Sequence, residues 1–222
     1  MTDRRHPGVA AAPAGRADQL ADLRADLAQA GFTVDHVGEL LGPMAGGALS
    51  SGQRRPADLA TRGSLDPAAV LLRLFVLGLP VATADLASAL PRTGVAGALA
   101  LGLVREGPPG EVIGACDLRP YADEQHDWWV ASDLTTMATS APLAPTHVVG
   151  IGGASSTLAS WTPRRWSPTA LDLGTGSGVH ALHLGGHSAY RVVTDLSPRA
   201  VAFATFTCAL NGVEVDARQG SL

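Results

Sequence analysis

A glycine-rich stretch, LDLGTGSGVHAL at residues 171–182, has the composition of a ligand-binding turn. It runs from an apolar segment through Gly174, Gly176 and Gly178 into apolar residues at helical spacing. Glycines at a strand-to-helix turn let the backbone bend sharply and come close to a ligand. The stretch therefore predicts a site for a nucleotide-like molecule at the end of a buried strand.

A second candidate residue, Asp195, ends the next apolar run, RVVT. An acidic side chain at the tip of a second parallel strand can accept hydrogen bonds from both hydroxyls of a ribose. Ser197 and Pro198 are typical of the N-cap and first position of a helix, so they fix the turn that presents Asp195. The sequence predicts that this helix ends at Asn211 and Gly212.

Two ligands compete for this turn. A dinucleotide loop needs a third glycine at position 179, where this chain has Val179. The spacing here is GxGxG, with Asp172 just before the loop. That pattern is typical of class I S-adenosylmethionine-dependent methyltransferases, and we favour it over the dinucleotide loop.

The chain before the loop predicts a flexible tail at 1–16 and a mostly helical domain at 17–120. Residues 42–63 are glycine-rich and weakly patterned. The predicted helices are Leu20–Ala30, Val34–Leu41, DPAAVLLRLFVLGL with Asp66 as N-cap and Pro67 at N1, TADLASALP capped by Thr83, and VAGALALG. Two β-type runs follow, LVREG and EVIGACDLRPY.

Three helices and then a two-stranded ribbon is the order of a winged helix, and a helical bundle with a hairpin is the alternative. Over residues 66–120, four arginines stand against five acidic residues, a net charge of −1. A winged helix that reads DNA presents a basic face. We therefore expect a protein-contacting or scaffolding module and no DNA reading.

A connector at 121–168 contains a predicted strand, WWVAS, and the segment THVVGIGGASSTLA. The chain has no lysine, which excludes a phosphate-binding P-loop at GIGGASST. A cofactor-closing segment and a plain linker remain. Nearby tryptophans are expected to seal a domain interface rather than stack on a substrate. Three histidines, His180, His183 and His187, are expected to be solvated or to pack beside the loop rather than to bind a metal.

The bulk composition points to a cytoplasmic protein. Net charge is −4, which argues against a general binder of nucleic acid or of anionic membranes. Cys116 and Cys208 are the two cysteines, with no metal-binding motif around them. The amino terminus lacks the apolar core of a signal peptide, and the apolar segment 70–82 is short and carries Arg73.

LDLGTGSGVHALHL together with TDLSPRAVAFATFTCALNGV resembles the HemK-like glutamine-amide methyltransferases, a branch of class I methyltransferases. Bacterial two-domain members have a winged-helix-like module before the catalytic domain. The resemblance implies an α/β protein: an N-terminal winged-helix-like module and the first half of a Rossmann-like methyltransferase domain at 169–222. It implies that S-adenosyl-L-methionine is contacted at its methionine end by Asp172, Gly174, Thr175, Gly176 and Gly178, at its ribose by Asp195, and near its adenine by Leu196 and Ser221.

The family's Asn-Pro-Pro-Tyr or Asn-Pro-Pro-Phe motif, which holds the methyl acceptor, is absent. We therefore expect an N-terminal fragment of a methyltransferase and assign no catalytic residue. The expected acceptor is an amide or amine nitrogen of a protein or RNA. The alternatives are a winged-helix-like interaction module with a non-catalytic half-domain, and a fragment of a nicotinamide-dependent oxidoreductase.

Overall fold

The computed structural model describes residues 10–139 and 142–220, which form a mixed α/β protein. The helices are α1 (Ala17–Gln29), α2 (Val34–Ser50), α3 (Arg55–Thr61), α4 (Pro67–Leu71), α5 (Thr83–Ala89), α6 (Gly94–Ala100), α7 (Thr136–Thr139), α8 (Gly153–Trp161), α9 (Val179–Gly185) and α10 (Pro198–Leu210). The strands are β1 (Val81–Ala82), β2 (Val104–Glu106), β3 (Glu111–Gly114), β4 (Asp117–Ala122), β5 (Asp127–Ser132), β6 (Ser167–Leu173), β7 (Ser188–Asp195) and β8 (Asp216–Gln219). Within the described ranges, no helix is long and apolar enough to cross a membrane.

The first two helices differ in how well the sequence predicts them. Helix α1 agrees with the prediction, and its leucines at helical spacing are buried. Helix α2 is longer than predicted because the chain kinks at Gly42, with φ 65°, and resumes the helix at Pro43. Proline is well suited to the first turn of a helix. The glycine-rich segment 42–63 therefore contains the second half of α2 and all of α3.

Helix α4 begins as predicted, because Asp66 accepts hydrogen bonds from the backbone N–H groups of Ala68 and Ala69. It continues as a π-helical segment, Leu72–Val76. The predicted cap of α5 is wrong, since Thr83 is the first residue of that helix and its hydroxyl donates to the carbonyl of Gly110. Strand β1 precedes α5 and joins an antiparallel sheet of order β1-β3-β2.

The run EVIGACDLRPY forms two strands rather than one. Strand β3 pairs with β1 and β2, whereas β4 pairs with β5 in a separate antiparallel hairpin. The break falls at Ala115, whose backbone N–H donates to the carbonyl of Leu103. The predicted strand WWVAS is confirmed as the main part of β5.

The carboxyl-terminal strands form a parallel sheet of order β6-β7-β8, connected through α9 and α10. Strand β7 ends at Asp195, as predicted, and Ser197 caps α10 by accepting from the backbone N–H of Ala200. One face of the sheet is open. Leu171 and Tyr190 are each 48% exposed there, beside a groove of about 640 Å³.

Helix α10 packs against both halves of the chain. Phe203, Phe206 and Leu210 belong to the same buried cluster as the leucines of α1. Arg24 of α1 also donates to the backbone carbonyls of Leu210 and Ala209, at 2.5 and 2.9 Å. The mainly helical amino-terminal part and α10 therefore share one core, whereas Val193 of β7 lies in a separate small cluster with Ala181 and Cys208.

The segment before α1 also contacts this body. Composition assigns residues 1–16 to a flexible tail, yet the N–H of Ala14 donates to the carbonyl of Leu101 at 3.1 Å, and Pro13 is buried. These contacts order residues 10–16 against the fold.

Candidate functional site

The glycine loop lies between β6 and α9 and is held against the end of β7. The backbone N–H groups of Gly174 and Thr175 both donate to the carbonyl of Thr194 at 2.9 Å. Gly174, Gly176 and Gly178 have φ values of 76°, 55° and 85°. Such positive φ values are costly for residues with a Cβ, so the loop requires its glycines.

The three glycines have two different roles. A Cβ added to Gly174 or Gly176 would meet no protein atom within 4 Å, whereas one added to Gly178 would lie 3.0 Å from the Cα of Ala204. Gly174 and Gly176 therefore leave free space on the loop surface. Gly178 instead allows the loop to pack closely against α10.

Asp195 is fixed by two backbone donors. Its Oδ2 accepts from the N–H of Gly176 at 3.0 Å, and its Oδ1 accepts from the N–H of Ser197 at 2.9 Å. Each carboxylate oxygen has two lone pairs, so both oxygens retain acceptor capacity. The carboxylate therefore ties the loop to the strand tip and can still accept hydrogen bonds from a ligand.

Asp172 lies beneath the loop. It is 7% exposed, and its Oδ2 accepts from the hydroxyl of Thr175 at 2.7 Å. Burial raises the pKa of Asp172 above its ordinary value, while the hydrogen bond from Thr175 opposes that rise. Asp172 thus supports the loop through Thr175.

A cavity of about 460 Å³ opens above the loop. The loop forms one wall, and the connector forms the other with residues 145–150, Gly152, Ala154 and Ser155. The first turn of α10 contributes Ser197 and Ala200. Three segments of the chain thus enclose one site.

The cavity brings together four of the eight predicted site residues, namely Gly174, Thr175, Gly176 and Asp195. Asp172 and Gly178 are buried supports of the loop, as described above. The Leu196 side chain is 71% exposed and does not line the cavity. Ser221 lies outside the described residues.

Sequence reasoning missed several residues that line the cavity, namely Pro145, Thr146, His147, Val148, Val149, Ser177, Val179, His180, Ser197 and Ala200. Pro145 directly precedes the connector segment THVVGIGGASSTLA and the next four lie within it, a segment for which the sequence leaves a cofactor-closing role and a plain linker both open. Ser177, Val179 and His180 alternate with or directly follow the glycines, so the loop motif is the sequence feature that could have placed them at the site. Ser197 had been interpreted only as a helix cap.

A polar and aromatic cluster lies next to this site, where the hairpin of β4 and β5 meets α9. The Nε2 of His183 lies 2.7 Å from the Tyr121 hydroxyl, and its Nδ1 lies 3.6 Å from Oδ2 of Asp123. Burial lowers the pKa of His183, and the charge of Asp123 opposes that change. Trp128 contacts His183 edge-on, with ring centroids 5.0 Å apart.

The tryptophans and cysteines of the chain differ in their exposure to solvent. Trp128 and Trp129 are buried, as expected of tryptophans that seal an interface, whereas Trp161 and Trp166 are 81% and 70% exposed. Both cysteines are buried, and burial raises the pKa of Cys208 to about 12. Within the described ranges, no group of histidine, cysteine, aspartate and glutamate side chains is arranged to hold a metal ion.

Comparisons with known proteins give two findings. Residues 29–114 match a family model described as a domain of unknown function, DUF7059. The crystal structure of the YcgJ protein from Bacillus subtilis aligns at 25% identity with a TM-score of 0.28, over 31% of this chain and 30% of that chain. No curated protein matches the chain.

Proposed function

We propose that this chain binds S-adenosyl-L-methionine and carries the cofactor half of a methyltransferase site. The acceptor would be an amide or amine nitrogen of a protein or RNA. The observation that carries the proposal is that Gly174, Thr175, Gly176 and Asp195 line one cavity together with the connector segment 145–150. The same four residues belong to the sequence motif LDLGTGSG and the strand tip that follows it.

The residues of the cavity suit this cofactor. Gly174 and Gly176 lack side chains where free space borders the loop, so a ligand can approach the backbone closely. Asp195 keeps acceptor capacity on both oxygens, which matches two ribose hydroxyls. Val179 stands where a dinucleotide loop has its third glycine.

We also propose a finer architecture. The order β6-α9-β7-α10-β8, with parallel strands, corresponds to the first half of a Rossmann-like methyltransferase domain. The order α4, β1, α5, α6, β2, β3, with β3 between β1 and β2, corresponds to a winged-helix-like module. In this assignment the two modules are joined by the connector 121–168.

When bound, S-adenosyl-L-methionine supplies a methyl group already activated by its sulfonium. The protein therefore contributes mainly alignment, and proximity of this kind can lower a barrier by roughly 7–11 kcal/mol. In this chain the loop and Asp195 would hold the cofactor, and the wall at 145–150 would exclude water from it. No described residue is assigned to bind the acceptor.

The proposal is tested by isothermal titration of the full chain with S-adenosylmethionine, S-adenosylhomocysteine and NAD. We expect Asp195→Ala to raise the Kd for S-adenosylmethionine roughly tenfold to hundredfold for each ribose hydrogen bond that is lost, because a hydrogen bond to a charged group contributes about 1.5–3 kcal/mol. The matched control is Asp216→Ala, since that carboxylate lies at the start of β8 and is paired with Arg218 outside the cavity.

The outcomes separate the candidate functions. Tight binding of both S-adenosyl ligands, weakened only by Asp195→Ala, supports the proposal. Preferential binding of NAD would favour the oxidoreductase alternative. Absence of binding by the folded chain would favour the alternative of a winged-helix-like interaction module with a non-catalytic half-domain.

A further inference from the structure

One carboxylate joins the connector wall of the cavity to the first turn of α10. Asp133 follows β5 directly and is 8% exposed. Its Oδ2 accepts from the backbone N–H of Val148 at 2.9 Å, and its own N–H donates to the carbonyl of Val148 at 3.1 Å. Val148 is 4% exposed and belongs to the connector wall of the cavity.

The same carboxylate forms a bidentate ion pair with Arg199 in the first turn of α10. The Nε of Arg199 donates to Oδ2 of Asp133 at 2.9 Å, and Nη2 donates to Oδ1. The two side chains are 10% and 15% exposed. The first turn of α10 also contributes Ser197 and Ala200 to the cavity.

Arg199 is engaged at each of its nitrogen atoms. Its Nη1 donates to the carbonyl of Ala10 at 2.7 Å, and its guanidinium carbon lies 5.1 Å from the ring centroid of Phe203, which is fully buried. The geometry of the guanidinium is therefore fixed from several directions. A bidentate pair of this kind adds geometric specificity as well as energy.

We infer that Asp133 and Arg199 are positioning residues that set the distance between the connector wall of the cavity and α10, against which the glycine loop packs at Gly178. The inference rests on the proposed function only for the identity of the ligand. Removing the Asp133 carboxylate leaves the buried guanidinium without its counterion and the Val148 N–H without its acceptor. The connector wall then loses its attachment to α10 while the glycine loop keeps its own hydrogen bonds.

The test compares Asp133→Ala, Asp133→Asn and Arg199→Lys with Asp58→Asn as a matched control. Asp58 and Arg73 form a similarly buried pair, each 19% exposed, and neither lines the cavity. Hydrogen exchange at residues 142–150 is measured without ligand, and the Kd for S-adenosylmethionine is measured by titration. Far-ultraviolet circular dichroism establishes that each variant is folded.

We expect Asp133→Ala to accelerate exchange of the Val148 amide and to raise the Kd about tenfold, equivalent to ~1.4 kcal/mol. Asp133→Asn and Arg199→Lys should give smaller increases, because each retains part of the hydrogen bonding. Asp58→Asn should change neither quantity by more than about twofold. If Asp133→Ala does not fold, Arg199→Lys carries the same comparison.

Unchanged exchange at 142–150 in folded Asp133 and Arg199 variants would overturn the inference. Equal effects of Asp58→Asn would also overturn it, since the change would then reflect general stability. Faster exchange in the Asp133 and Arg199 variants, together with no binding of S-adenosylmethionine by the wild-type chain, would be a different result: the positioning role would stand, and the proposed function would fail.

Discussion

Replacing Asp123 with asparagine should destabilise the protein at neutral pH and have little effect near pH 2. The Asp123 carboxylate accepts from the backbone N–H groups of Gln125 and His126 and pairs with Arg164 at 3.0 Å. Burial raises the pKa of Asp123, and these hydrogen bonds, with that of the His126 side chain, more than offset it and lower the pKa to about 2. The carboxylate is therefore stabilised in the folded state.

The direction of the shift gives the sign of the effect. A carboxyl with a lowered pKa stabilises the fold above its unfolded pKa, and this contribution disappears as the pH falls through the folded pKa. The change from 3.8 to about 2 corresponds to ~2.5 kcal/mol at neutral pH. Because Arg164 and His126 are each 44% exposed, solvent screening reduces the expected loss to about 1–2 kcal/mol.

The assay is urea unfolding of wild type, Asp123→Asn and Glu124→Gln between about pH 2 and 7. Glu124 is the exposed neighbour on the same hairpin and should show almost no change. Asp123→Asn should also lower the pKa of His183 further, because the charge of Asp123 opposes the effect of burial. A stability difference that stays constant from neutral to acid pH would refute the reasoning, since ionisation of Asp123 would then not be its source.

Two further substitutions test the loop and the core. Gly178→Ala should destabilise the protein by ~1–2 kcal/mol from its backbone conformation alone, and further through the contact with Ala204. The control is Gly186→Ala, which should leave thermal unfolding unchanged because Gly186 has φ −82° and no atom near the added methyl group. Equal effects of the two substitutions would contradict the packing argument. Trp129→Phe should lower the free energy of unfolding by about 1–3 kcal/mol, because the indole N–H donates to the buried carbonyl of Phe32 at 2.7 Å. Trp161→Phe, at an exposed tryptophan, serves as the control. An unchanged urea midpoint for Trp129→Phe would disprove the role of that hydrogen bond.

Local features of the fold were predictable from the sequence. Helix α4 has Asp66 as its N-cap and begins at Pro67, and α10 has Ser197 as its N-cap and begins at Pro198. Both beginnings are predictable because an N-cap side chain acts on backbone groups only two or three positions away. The glycine loop and Asp195 were likewise predictable, since strand ends and turns are set by neighbouring residues. The four cavity residues of the motif follow from these local rules.

Features that depend on distant residues were not predictable in the same way. Asp133 directly follows the predicted strand WWVAS, yet its carboxylate pairs with Arg199, 66 positions away. The break between β3 and β4 falls just after Gly114, and the two strands pair with different partners elsewhere in the chain. In each case a tertiary contact decided between locally acceptable conformations.

The position of α10 has a consequence for how the protein melts. Its aromatic side chains belong to the cluster that also contains the leucines of α1, while its first turn borders the cavity. Any ligand that binds the folded state alone raises the stability of the whole cooperative unit to which its site belongs. We therefore expect occupation of the cavity to protect amide hydrogens of α1, on the far side of this shared core, so that the helical half reports binding without contacting the ligand.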